Sequence, residues 1–192
     1  MGNPPQSIIL VRHGETAWSL SGQHTGRTDI PLTDQGRAMA VKLAPRLSSH
    51  CFAAVFCSPL IRARETAELA GFKDAVELRP SLMEWDYGAY EGLTTEAIRS
   101  SAPEWTLWRD GVPDGETLAQ VEARADAILE EASAVKGDVA LFSHGHLLRV
   151  LAARWLGLPG GAGALFLLGT TAVSRLTWDS ERRVLGLWND QS

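Results

Sequence analysis

Three short apolar runs break the polar background of this chain: Ile8-Ile9-Leu10-Val11, Ala53-Ala54-Val55-Phe56 and Val139-Ala140-Leu141-Phe142. Four apolar residues in succession, without the alternation of a half-wet strand, predict strands buried on both faces. Residues 75–78 give a weaker strand, and 172–178 and 184–188 read as closing strands. Between the runs the period lengthens to that of a helix. Met39, Leu43 and Leu47 recur at i, i+4 and i+8 behind Thr33, a good N-cap, with Pro45 expected to kink the helix or end it early. Ser58 before Pro59 has the order of N-cap and first helical residue, which predicts a helix from 59 to about 70, stopped by Gly71. Thr117 and Gln120 have capping-box spacing ahead of one apolar face, Leu118, Val121, Ala125, Ile128 and Ala132. Residues 146–156 are again helical in pattern, while 15–33 and 84–92 show no period and read as ordered loops.

Strands alternating with helices predict an α/β fold with a mostly parallel sheet covered on both faces. No composition break divides residues 1–192, so a single domain is expected, and a chain of this length buries about 70% of its unfolded surface. Hydrophobic residues make up 45% and charged residues 21%, which excludes a disordered chain.

Eighteen basic against twenty-three acidic side chains leave a net charge of -5, so neither nucleic acid nor anionic membrane is attracted generally, and any anion site must be local. No apolar stretch approaches the ~18 residues of a membrane span. Gln6 stands where an acylation signal beginning at Gly2 would need Ser or Thr. If residues 52–56 form a strand, Cys51 and Cys57 lie ~20 Å apart, too far for a disulfide. Reduced thiols and a cytoplasmic location are expected; a homodimer is left open.

Two of the runs end alike. Val11-Arg12-His13-Gly14 and Phe142-Ser143-His144-Gly145 each close four apolar residues with one polar residue and His-Gly. Random placement of five histidines and eighteen glycines gives about 0.5 His-Gly pairs in total, so the repeated context asks for an explanation. A lone histidine there would ordinarily be a turn residue bonded to backbone. In an α/β sheet, however, ligands bind beyond the carboxyl ends of strands, and both imidazoles would enter one crevice if the strands are neighbours. Arg12 at the strand end and Arg62 in a helix's first turn would then cradle a phosphoryl group; as surface arginines they would instead form ordinary ion pairs. Zinc held by His13, His144 and His146 is a second arrangement, with carboxylates and cysteines badly placed to complete it. Between two guanidiniums His13 would stay neutral and nucleophilic, with the Gly14 backbone able to fix its tautomer, and His144 would donate to phosphoryl oxygens. Glu84 is the candidate acid for a leaving alkoxide, its proton held more tightly beside a phosphate dianion; the alternative is a solvated loop carboxylate.

Leu10-Val11-Arg12-His13-Gly14-Glu15-Thr16 resembles the signature of the histidine phosphatase superfamily, the phosphoglycerate-mutase-like enzymes. Thr25-Gly26 with Asp29, Leu32-Thr33 and Gly36, then Cys57-Ser58-Pro59-Leu60 with Arg62, then Glu84 with Tyr87-Gly88 and Glu91-Gly92, then Ser143-His144-Gly145, are similar to its further motifs in order. The resemblance implies a three-layer α/β/α sandwich, a phosphohistidine nucleophile at His13, phosphoryl contacts from Arg12, Arg62 and His144, and Glu84 as proton donor. It implies no metal and no cofactor. Ser19 stands where mutase-type members carry asparagine, Thr94-Thr95 where they carry Asn-Lys, and their basic insertion is missing, which favours hydrolysis over mutase chemistry. Residues 22–26 and 84–88 look like those of small acid phosphatases and sedoheptulose-bisphosphatase-type members. By that resemblance the substrate is a small phosphorylated metabolite, with Trp85 and Tyr87 flanking a sugar, or else packing the loop, and Ser19, Gln23, Thr25, Gly26 and Gly145 in contact with it. A phospholigand-binding protein without turnover is the rival from another class.

Overall fold

The computed structural model describes residues 7–192, so the acylation reading at Gly2 and Gln6 lies outside the described residues. Six strands, β1 (Ile8–Arg12), β2 (Phe52–Cys57), β3 (Val76–Leu78), β4 (Asp138–Ser143), β5 (Val173–Asp179) and β6 (Arg182–Asp190), form one mixed sheet in the order β3-β2-β4-β1-β5-β6. The pairings β2–β3, β2–β4 and β1–β4 are parallel, and β5 and β6 add an antiparallel edge.

The apolar runs are continuous because alternate residues enter different layers. Ile8, Leu10, Val139 and Leu141 pack under the helices α7 (Leu118–Ala134) and α8 (Gly145–Trp155), whose Val121, Ala125, Ile128, Leu147 and Leu151 meet them. Ile9, Val11, Ala140 and Phe142 pack on the opposite face with Leu43, Leu47, Ala63 and Ala67. Those residues come from α3 (Leu43–Leu47) and α4 (Ile61–Ala67). The result is helix, sheet, helix. Full burial of each Ile or Leu here stabilises by roughly 1.5–3 kcal/mol, so a strand turned over by one residue would lose both layers at once.

The predicted capping box of α7 is formed, Thr117 Oγ1 accepting from the Gln120 amide and the Gln120 side chain accepting from the Thr117 amide. Elsewhere the structure corrects the sequence reading. The first loop contains a short helix, α1 (Ala17–Ser21), started by Thr16 and Ser19 in a reciprocal cap. The helix behind Thr33 is divided at Lys42 into α2 (Asp34–Val41) and α3. Pro45 lies within α3; it has no N–H for the carbonyl four residues back, so the break falls at residues 41–42 and the chain resumes beyond it. α4 begins at Ile61, two residues after the expected start, because the acceptor for its first amide is not Ser58 but Asp29 Oδ1, 2.7 Å from Ile61 N. A π-type turn, Glu68–Phe72, ends that helix at Gly71, whose φ of +94° admits glycine readily. The long stretch after Glu84 also holds α5 (Thr95–Arg99) and α6 (Leu107–Asp110), too short to stand alone and fixed by burial of Ile98, Trp105 and Leu107.

No helix among the described residues is long and apolar enough to cross a membrane. Both cysteines are free, Cys51 exposed and Cys57 buried, and burial pushes the Cys57 thiol up to about 12.

Candidate active site

Because β1 and β4 are parallel with Arg12 opposite Ser143, the residues that follow, His13 and His144, leave the sheet at the same level. Their ring centroids are 5.1 Å apart. His13 Nδ1 lies 2.7 Å from the Gly14 carbonyl oxygen. A carbonyl only accepts, so Nδ1 carries the proton and Nε2 keeps its lone pair; Nε2 has no partner among the described residues. Burial first, then Arg62 and Arg12, hold the His13 pKa well below the ordinary imidazole value, against the opposite pull of Gly14.

Arg62 reaches inward from the first turn of α4 and is fully buried. Its Nε donates to His144 Nδ1 at 3.1 Å, its Nη1 to Thr28 O at 3.0 Å, and its Nη2 to Thr25 O and Gly26 O at 3.0 and 2.9 Å. Since arginine has no acceptor, His144 carries its proton on Nε2, which donates to Ser58 Oγ at 2.7 Å. Burial and then Arg62 hold His144 well below the ordinary value. The donor that the sequence reading gives to phosphoryl oxygens is therefore occupied by Ser58 in this structure. Arg12 Nη1 donates to Leu168 O, while its Nε is buried beside Gly145 with no partner. An orphaned guanidinium donor next to a cleft is an oxyanion site in waiting.

Glu84 is buried at the start of α8. Its Oε1 accepts from Trp85 N and Leu147 N, both at 2.9 Å, and Oε2 from His146 N at 3.0 Å. The orphan amides of the helix start hold it. The loop that carries it is clamped by Arg124 of α7, which donates to the Ser81 and Met83 carbonyls at 2.7 and 2.9 Å and pairs with Glu116 at 2.7 Å.

Arg12, His13 and Glu84 line one cavity of about 280 Å³. Ser19, Gln23, Thr25, Tyr87 and Gly145 line it too. Two sequence expectations do not survive. Trp85 does not flank the cavity: it is fully buried, donates from Nε1 to Glu116 O at 2.8 Å and packs edge-on to Trp108. Gly26 is likewise inside, where its missing Cβ lets the Trp85 carbonyl approach and its own carbonyl anchors Arg62. Gln23 has both ends of its amide engaged, by Gly92 O and Ser21 Oγ. The zinc arrangement fails on geometry, since His144 is held between Arg62 and Ser58 and His146 Nδ1 lies 2.6 Å from the Tyr87 hydroxyl. No group of three or more His, Cys, Asp or Glu among the described residues is arranged to hold a metal ion.

The sequence reading missed Gly22, His24, Thr95, Arg149 and Leu168 as lining residues, and assigned His146 only to zinc. Arg149 was findable: it follows Gly145 by four positions on α8 and shares its face.

The sequence model of the Histidine phosphatase superfamily (branch 1) matches residues 8–191. An acid phosphatase of Mycobacterium tuberculosis is 45% identical over 180 residues, 90% of this chain and 87% of that protein. Sedoheptulose 1,7-bisphosphatase of Saccharomyces cerevisiae is 35% identical over 78% of this chain and 67% of that one. Among solved structures, an open-reading-frame product of Mycobacterium tuberculosis superposes with a TM-score of 0.91 at 40% identity, covering 96% of this chain and 97% of the other.

Proposed function

Because this chain belongs to the histidine phosphatase superfamily, we propose that its cavity hydrolyses small phosphorylated metabolites through a covalent phosphohistidine at His13. The observation that carries this reading is the 2.7 Å contact between His13 Nδ1 and the Gly14 carbonyl, which leaves Nε2 unprotonated in a residue that lines the cavity together with Arg12.

The lone pair of Nε2 attacks phosphorus, an N–P bond forms and the bond to the leaving oxygen breaks. Arg12 and Arg62 neutralise the charge gathering on the phosphoryl oxygens, and the Gly14 carbonyl stabilises the cationic ring that results. Glu84, entering as the acid, gives its proton to the leaving alkoxide. Its carboxylate then takes a proton from water, the hydroxyl oxygen bonds to phosphorus, and the N–P bond breaks to return neutral His13. His144 keeps its Nε2 proton and redirects that N–H hydrogen bond from Ser58 Oγ to a phosphoryl oxygen. The chain's relatives, an acid phosphatase and a sugar bisphosphatase by name, support a hydrolase acting on sugar phosphates or bisphosphates. Two free thiols fit work in a reducing compartment, the cytoplasm.

Turnover of p-nitrophenyl phosphate, with acid-labile phosphate trapped on the His13 peptide after rapid denaturation in base, is the expected outcome. An active His13→Ala enzyme would sink the nucleophile assignment. Labelled 3-phosphoglycerate returning as free phosphate, rather than as 2-phosphoglycerate, separates this reading from a mutase.

A further inference from the structure

The turn that carries His13 is pinned from several sides. His13 N–H donates to Ser143 O at 2.9 Å, the His13 carbonyl accepts from Thr171 N at 3.2 Å, and Glu15 O accepts from Thr33 N at 2.9 Å. These bonds run from backbone to backbone. Gly14 is different: its N–H donates to a side chain, Thr66 Oγ1, at 2.9 Å and from 52 positions away. Thr66 lies on α4, one helical turn beyond Arg62, and is fully buried. Its own proton goes to Arg62 O, four residues back, at 2.7 Å, so what the hydroxyl offers Gly14 is a lone pair. One orientation of the hydroxyl makes both bonds, and burial makes the loss of either costly.

The bond matters because of what else Gly14 does. Its carbonyl is the acceptor, 2.7 Å from Nδ1, that keeps the His13 proton on that nitrogen. A Cβ at Gly14 would stand 2.8 Å from Gly36 O and 3.2 Å from Leu32 Cδ2, so the close approach demands glycine. Glycine is also the residue whose φ and ψ are least restrained, and those two soft angles separate the Gly14 N–H from its carbonyl. Holding the N–H leaves the carbonyl far less room to swing off Nδ1. Without the Thr66 acceptor a buried N–H is unpaired, and the peptide rotates in search of another, carrying the carbonyl with it. The His13 proton is then free to move to Nε2, which removes the lone pair that meets phosphorus.

We propose that Thr66 is a positioning residue for the nucleophile: its hydroxyl, tied to the helix that carries Arg62, fixes the Gly14 carbonyl and through it the Nδ1–H tautomer of His13. The proposal rests on the phosphohistidine reading of the cavity and adds the side chain that keeps the attacking nitrogen unprotonated.

The test uses T66V, which keeps the shape and removes the hydroxyl, and T66S, which keeps the hydroxyl and removes the methyl; T66A replaces T66V if that variant does not fold. Two-bond proton–nitrogen NMR spectra of protein with isotopically labelled histidine, at neutral pH, report the tautomer, the His13 signals being those lost in H13A. Wild type and T66S show Nδ1–H with a bare Nε2, and T66V shows part or all of the proton on Nε2. With p-nitrophenyl phosphate, T66V lowers kcat by ~10–100-fold, the worth of one buried donor left unpaired, and T66S stays within about threefold of wild type. Inorganic phosphate, as competitive inhibitor, binds T66V within about threefold of wild type, because the Arg62 guanidinium keeps its own partners. A merely structural threonine would lower the urea midpoint of T66V and leave tautomer and kcat alone. That result overturns the proposal, as does T66S performing as poorly as T66V, or a loss of phosphate affinity large enough to account for the whole defect. If wild type hydrolyses nothing, the phosphatase reading falls by itself, and the spectra of the unliganded protein still decide whether Thr66 sets the tautomer.

Discussion

Arg62 and His144, separated by 82 positions in sequence, share a hydrogen bond in which the guanidinium Nε–H donates to imidazole Nδ1 at 3.1 Å. One bond assigns the tautomer of the second histidine and anchors it to the helix that follows β2. The same guanidinium gathers the Thr25, Gly26 and Thr28 carbonyls, so a single side chain ties three motifs together.

Arg62→Lys is therefore not conservative. An ammonium cannot reach His144 Nδ1 and three carbonyls in one plane, and each buried acceptor left short costs ~1–3 kcal/mol. We expect at least ~2 kcal/mol lost in urea unfolding and a fall of about 100-fold or more in kcat/KM. Stability within ~0.5 kcal/mol of wild type would show that the carbonyl cluster is not held by this fork.

Glu84→Gln separates chemistry from framework. Three backbone amides converge on the two carboxylate oxygens, and a glutamine must turn its NH2 toward at least one of them. A loss of ~1–3 kcal/mol is expected for that clash of donors. If Glu84 also protonates the leaving group, turnover of an alkyl phosphate falls by about 100-fold or more, and that of p-nitrophenyl phosphate much less. Equal losses for good and poor leaving groups would leave Glu84 a structural role only.

Two buried histidines, His13 and His144, and the half-buried His146 make stability depend on pH. Burial is the first cause holding His13, His144 and His146 well below the ordinary value of 6.5. The unfolded chain takes up these protons near pH ~6.5 and the folded chain refuses them, so stability is full above that pH and falls as pH drops toward the depressed native values. Each such histidine contributes a slope of up to ~1.4 kcal/mol per pH unit, about 4 for the three. Urea midpoints at pH ~7.5, ~6.5 and ~5.5 should decline between the last two; a flat profile counts against neutral burial of the trio.

Gly26→Ala tests the packing between loops. An added Cβ would stand 2.5 Å from the Trp85 carbonyl oxygen and 2.6 Å from Glu91 Oε2, with no flexible end to yield at the first. We expect ~1–3 kcal/mol of destabilisation and a raised KM as the carbonyl anchoring Arg62 shifts. Gly157→Ala is the comparison: φ is +74° there with open space around it, so ~1 kcal/mol of backbone strain and unaltered kinetics are expected. Thermal melts and Michaelis constants of the two variants decide.

What the sequence by itself determined is whatever depends on neighbours along the chain. The four-residue apolar runs specify strands buried on both faces, Thr117 and Gln120 start α7, Gly71 stops the segment after α4, and the repeated His-Gly ending marks two strand termini, because burial period, capping and positive φ are local properties. Tertiary structure decided everything that requires a partner from elsewhere. Asp29, 32 residues away, caps Ile61 and moves the helix start, and the interior takes Trp85 because Glu116 offers its indole an acceptor. A hydrogen bond or an unpaired charge is settled by distance in three dimensions, and distance along the chain carries little information about it.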